Sequence, residues 1–259
     1  MVEFLFVIKL VVAIAFVLGL SYLAEKVSPK VAGILAGYPT GSAISLFFFG
    51  LEVSPGFAAE SAVYNMIGLS GSLTFAYVYY WVSVRLSKYN ALLSSLAAIA
   101  SYFVVVWLLH FVSINKYVAF LIPVTFALLY AFLLKKVENI QIQNKVKLNG
   151  GILFARAFFA ALIILAITTL PRFVGASWAG LFSAFPTTLY PLVLIIHLTY
   201  SKQHVHTIIK NVPMGMVSLI IYSLVVSLVY PLFGIYYGTL IAFAVATLYL
   251  LLYRAFKRN

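Results

Sequence analysis

Apolar residues run along this chain in long blocks, and polar residues are confined to the short stretches between them. Nine blocks of about 20 residues cover roughly 3–24, 31–51, 61–84, 91–113, 117–135, 150–171, 178–198, 210–232 and 236–255. At 1.5 Å per residue each is long enough to cross a hydrocarbon core as a helix. The pattern predicts an all-α integral membrane protein with about nine transmembrane helices. Two blocks are interrupted at their centres. Block 31–51 is broken by Gly37, Tyr38, Pro39, Thr40, Gly41 and Ser42, and block 178–198 by the run from Ser183 through Phe185, Pro186, Thr187 and Thr188. Glycine can end a helix in the left-handed conformation, and proline suits the first turn of the next helix. Each block therefore reads as a discontinuous helix.

Charge placement gives an orientation. With nine spans the loops alternate sides, and thirteen Lys and Arg residues fall on one side against two, Lys116 and Arg172, on the other. Cytoplasmic loops retain Lys and Arg, so the N-terminus is expected outside and the C-terminus in the cytoplasm, with the protein in the cytoplasmic (inner) membrane. The net charge of +12 belongs to these loops and does not signal nucleic acid. The N-terminal apolar run lacks a basic leader and is long enough to stay as a span.

Sliding the chain by 147 residues places Lys9 on Arg156, Ala32-Gly33 on Ala179-Gly180, Pro39-Thr40 on Pro186-Thr187 and Gly68 on Gly215, with no gap. This predicts two four-helix repeats, 1–113 and 148–259, joined by a linking segment, 114–147, that holds one extra span and a cytoplasmic loop. An odd number of spans between the repeats turns the second one over. The expected plan is an inverted-topology pair, as in many secondary transporters.

Residues 178–203, WAGLFSAFPTTLYPLVLIIHLTYSKQ, resemble the GlpM family of bacterial inner-membrane proteins, in an AGL…FPT stretch followed by an apolar run ending near a His and then a polar loop. The similarity extends loosely over 148–259. The first repeat departs from it, with GYPTG in place of the FPT context and Gly50 in place of His197. The resemblance implies an integral, envelope-linked membrane protein, internally duplicated here. It also implies that single-repeat relatives pair as antiparallel dimers.

Candidate chemistry follows from the breaks. A helix broken in the membrane must have its freed backbone groups met by protein or by a watery cavity. In an inverted pair, both second half-helices start near the midplane and direct their positive N-terminal ends into one central region, which favours an anion. The chain has no Asp, and Glu3, Glu25, Glu52, Glu60 and Glu138 all fall at span ends or in loops. Lys9 and Arg156 are the only basic residues well inside predicted spans, and a positive interior without acids again favours an anion. Each lies about two turns into its span, so each also has the option of snorkelling to the headgroups.

The candidate substrate-binding residues are therefore Gly37, Tyr38, Pro39, Thr40, Gly41, Ser42, Ser183, Phe185, Pro186, Thr187 and Thr188, with Lys9 and Arg156. Cysteine is absent, which removes disulfide and thiol chemistry. His204 and His206 have no nearby third ligand, so no metal or cofactor is expected. Tyr79, Tyr80, Trp81, Trp178, Tyr236 and Tyr237 read as interface anchors. No nucleotide loop, zincin motif or nucleophile elbow is present, and an enzyme is not expected. The expected function is alternating-access transport of a small anionic or polar solute. Alternatives with the same positive centre are a lipid-phosphate or envelope-glycan flippase or accessory protein, and an anion channel. A non-transporting membrane scaffold is a fourth. Expected partners are the lipid bilayer, the solute or a lipid phosphate, and a second copy of the chain in a homodimer, with no nucleic acid.

Overall fold

The computed structural model describes residues 28–111, 115–142 and 171–256, with isolated positions between 7 and 26 and Phe158. Lys9 and Arg156, and nearly all of blocks 3–24 and 150–171, lie outside these described residues. The described elements are all helical: α1 (Pro29–Ala36), α2 (Gly41–Glu52), α3 (Pro55–Arg85), α4 (Asn90–His110), α5 (Lys116–Leu133), α6 (Pro171–Ser183), α7 (Leu189–Thr199) and α8 (Lys202–Phe256).

Local chemistry starts these helices where the chain changes direction. Ser28 Oγ accepts from Val31 N at 3.2 Å and Pro29 opens α1. Ser54 Oγ accepts from Phe57 N at 3.1 Å and Pro55 opens α3. Asn115 Oδ1 accepts from both Tyr117 N and Val118 N at 3.0 Å to start α5. A cap of this kind satisfies first-turn donors that have no partner within the helix. Gly175, at φ 75° and ψ 170°, interrupts α6, so that residues 176–183 form its packed part. Gly234, at φ 70° and ψ 179°, folds α8 into two arms. The arms run antiparallel: Tyr230 OH meets Thr239 Oγ1 at 2.6 Å, the Tyr222 and Phe243 rings lie 4.9 Å apart, and Tyr249 OH donates to Met214 O at 3.2 Å.

Among the described residues, four helical stretches are long and apolar enough to cross a membrane: Pro29–Glu52, Asn90–His110, Lys116–Leu133 and Lys202–Phe256. Their outward faces carry large apolar side chains. Leu96, Phe103 and Trp107 on α4, Leu121 and Phe132 on α5, and Leu240 and Leu251 on the second arm of α8 are all exposed. Apolar faces this extensive belong to a helical membrane protein, where lipid covers them. Polar groups go the other way. α3 is 31 residues long, packs against α4, α5, α6 and α8, and buries Ser61, Asn65, Ser70, Ser72 and Ser83 completely.

Close helix crossings fix the frame. A Cβ on Gly33 would lie 2.3 Å from Ile208 O, and one on Gly180 would lie 2.1 Å from Ser61 O. A Cβ on Gly215 would lie 2.1 Å from Ile34 O, and one on Gly68 would lie 3.2 Å from Leu181 O. These contacts are reciprocal at the 147-residue offset: Gly33 and Ile208 become Gly180 and Ser61 when the two halves are exchanged. Small residues at such crossings let backbones approach closely.

The aromatic anchors divide. Trp81, Tyr236 and Tyr237 face outward. Tyr79, expected at an interface, is instead fully buried, with its hydroxyl 2.8 Å from His197 Nδ1. The reason is that Tyr79 lies on the face of α3 turned inward, while Trp81 lies on the face turned outward. Trp178 stacks on His110 with ring centroids 4.2 Å apart. At one end of the molecule the basic segments gather. Lys202 Nζ donates to Ser83 O at 3.2 Å and to Leu86 O at 3.4 Å, His204 Nε2 lies 3.3 Å from Gln141 O, and Lys210 Nζ donates to Val137 O.

Candidate functional site

The chain between α1 and α2 and the chain between α6 and α7 turn in the same way. In the first, Gly37 N donates to Ile34 O at 3.2 Å, Tyr38 N to Leu35 O at 3.0 Å and Thr40 N to Tyr38 O at 2.6 Å. In the second, Ala184 N donates to Leu181 O at 3.3 Å, Phe185 N to Phe182 O at 3.1 Å and Thr187 N to Phe185 O at 2.7 Å. The last bond of each set closes a three-residue turn on a proline, Pro39 or Pro186, whose fixed φ suits it. Every bond in one set lies 147 residues from its counterpart.

Each turn frees two carbonyls at the end of the preceding helix, and hydroxyls from elsewhere satisfy them. Ser42 Oγ donates to Ser183 O at 2.9 Å, and Thr188 Oγ1 donates to Ala36 O at 3.3 Å. Each break thus caps the other. The long helices supply the second hydroxyl, Ser72 of α3 to Ala184 O and Ser218 of α8 to Gly37 O at 3.5 Å. Ser42 pairs with Ser183 and Ala36 pairs with Thr188, so one segment ascends as the other descends and the two breaks cross antiparallel. Gly41 sits tightly at this crossing, where a larger residue would have to displace the Thr187 hydroxyl. A Cβ there would lie 2.3 Å from Thr187 Oγ1.

Asn65 anchors one side. Its Nδ2 donates to Ser183 Oγ at 2.8 Å and its Oδ1 accepts from Ser223 Oγ at 2.8 Å, with all three residues buried. Tyr102 OH donates to Leu181 O at 2.5 Å, and its ring meets Phe185 edge-on at 5.0 Å. On the other side Tyr38 reaches outward, its hydroxyl 2.8 Å from Thr247 Oγ1.

Between the breaks lies a small cavity lined by Tyr38, Gly41, Ser42, Phe185, Pro186, Thr187 and Thr188, closed by Leu69, Met216 and Leu219. The space open to the centre of a water molecule is about 20 Å³, enough for one water. Among the described residues no charged side chain lines it. The first turns of α2 and α7 have no side-chain cap, so their N-terminal dipole ends supply the local positive potential. Thr40 spends both its N–H and its hydroxyl on Tyr38 O, and Thr187 its N–H on Phe185 O, which leaves the Thr187 hydroxyl and the first-turn N–H groups of the following helices as the available donors.

The crossing brings together most of the residues singled out in the sequence. Tyr38, Gly41, Ser42, Phe185, Pro186, Thr187 and Thr188 line the cavity, Pro39 and Thr40 are buried in the first turn, and Gly37 and Ser183 each supply a capped carbonyl. Ser72, Ser218, Ser223 and Asn65 complete the polar set and were not among those candidates. A buried Asn within an apolar run is a signal of such a role. The serines carry none, because a single hydroxyl is unremarkable in a membrane helix. His204 and His206 diverge, His204 Nδ1 to Ser201 Oγ at 2.8 Å and His206 Nε2 to Ser83 Oγ at 2.6 Å. Comparisons with protein-family models, curated proteins and solved structures give no match, and the site is read from its own geometry.

Proposed function

We propose that this chain is a secondary-transporter-like protein of the cytoplasmic membrane that moves a small anionic or polar solute by alternating access. In this reading it has nine spans, with two inverted four-helix repeats around the crossed, discontinuous helices. One observation carries it: the two breaks cap each other's carbonyls, Ser42 on Ser183 O and Thr188 on Ala36 O, with the two acceptors 147 residues apart and the two donors 146 apart. Reciprocal, antiparallel contacts are what a two-fold axis in the membrane plane produces, and transporter sites lie at such repeat interfaces. Two uncapped helix N-termini, and the lack of a carboxylate among the described lining residues, support an anion or a polar solute over a cation. Alternating access then consists of one half rocking on the other. The glycine crossings at Gly33 and Gly180 act as pivots, and the single-water cavity enlarges when the breaks part.

The test is uptake of a panel of labelled anions by proteoliposomes holding wild type, Thr187→Val or Arg156→Ala. Thr187→Val is expected to lower flux about ten-fold, the loss of one hydrogen bond to a charged group. Arg156→Ala is expected to lower it as well. Sealed vesicles that carry no anion in the panel would overturn the proposal.

A further inference from the structure

A second cavity, of about 510 Å³, opens at the end of the molecule where the basic segments gather. It lies between the end of α5 and both ends of α8, far larger than the central one and within the usual size of ligand sites. One side is cationic. Lys135 follows the last turn of α5 and is exposed, with its Nζ 3.9 Å above the Phe132 ring. Lys210 donates one N–H to Val137 O and keeps two for a ligand. Asn211 beside it is held rigidly, its Nδ2 donating to Asn139 Oδ1 at 2.9 Å and to Thr207 O at 2.8 Å. Among the described residues no carboxylate lines the cavity to neutralise the two lysines.

The other side is apolar, formed by Met214, Tyr253 and Phe256, and Phe256 is 79% exposed. It adjoins the outward apolar face of α5 at Phe132. A pair of uncompensated lysines above an apolar wall, at the edge of a membrane-facing surface, matches an amphiphile with an anionic head. Free inorganic phosphate would leave the apolar wall unused.

We infer that this groove binds an anionic phospholipid, with its phosphate on Lys135 and Lys210 and its glycerol and first acyl carbons against Met214, Tyr253 and Phe256. Basic pockets between membrane helices on the cytoplasmic side recognise lipid headgroups in this way. The inference does not depend on what crosses the central site.

Native mass spectrometry of the purified full chain, supplied with phosphatidylglycerol or phosphatidylcholine, tests it. Wild type retains phosphatidylglycerol in preference to phosphatidylcholine. Lys135→Gln, which leaves the Lys210 to Val137 contact intact, lowers that retention about five-fold, and Lys135→Gln/Lys210→Gln lowers it about 25-fold, from the weight of one lysine at an anionic surface. Lys116→Gln, at the opposite end of α5, changes nothing. Equal retention of the two lipids, or wild-type retention by Lys135→Gln, would overturn the inference. Complete displacement of the lipid by an equal concentration of inorganic phosphate would overturn it in favour of a soluble phosphate site.

Discussion

The two helix breaks share one backbone and differ in what surrounds it. Asn65, Ser183 and Ser223 form a buried hydrogen-bonded triad beside the second break. The positions 147 residues away, Val212, Ala36 and Ala76, are also buried, in one apolar cluster beside the first break. The hydroxyl-capped turns are common to both, whereas the bracing is polar on one side and apolar on the other. Tyr38 adds to the contrast: its counterpart, Phe185, has no hydroxyl and packs among Phe75, Tyr102 and Tyr190. A matched backbone makes the crossing. An unmatched polar set braces only the second break, and through Asn65 it ties that break to α3 of the other half.

Substitutions sharpen this comparison in order of expected effect. Gly33→Val and Gly180→Val place a side chain against a backbone carbonyl and should each cost about 3 kcal/mol, the upper end for overpacking. Thermal unfolding in detergent should show equal losses, while Gly56→Ala, where the nearest atom lies 3.9 Å away, should be silent. Tolerance at one glycine alone would break the equivalence of the halves. Asn65→Val strands the buried Ser223 hydroxyl, while Ser183 Oγ keeps its bond to Gly180 O at 2.7 Å, and should cost about 2 kcal/mol. The triple change Asn65→Val/Ser183→Ala/Ser223→Ala gives the second break the apolar bracing of the first and should recover most of that loss, because removing all partners together leaves nothing unsatisfied. A triple variant less stable than the single one would show that the triad is more than a brace. Ser42→Ala and Thr188→Val each remove one reciprocal cap and should cost about 1 kcal/mol, alike to within a few tenths. Tyr38→Phe, which imposes the second break's residue type on the first, should cost least, about 0.5 kcal/mol.

What was legible in the sequence was whatever the lipid environment imposes on composition. The apolar stretches of the described helices, the Pro39 and Pro186 interruptions and the pairing of Gly33 with Gly180 and of Gly68 with Gly215 could be read directly, whereas the close crossings those glycines make could not. The partners of the break carbonyls could not. Ser72 and Ser218 are not aligned by the 147-residue slide, since Ser72 falls on Leu219 and Ser218 on Gly71. Tyr79 was misplaced because an aromatic near a helix end looks the same whether it meets headgroups or, as here, a buried His197. The size of the central cavity was also invisible, because it depends on how tightly two crossing segments close.

Locking the crossing tests the central proposal most directly. An ideal Cβ on Gly41 lies 3.6 Å from Thr187 Cβ, within the range of a disulfide, and the chain has no cysteine of its own. Anion flux should be measured in proteoliposomes holding the Gly41→Cys/Thr187→Cys pair, oxidised and then reduced. If the two breaks part during transport, oxidation abolishes flux and reduction restores it. Equal flux in the oxidised and reduced protein would contradict transport through this crossing.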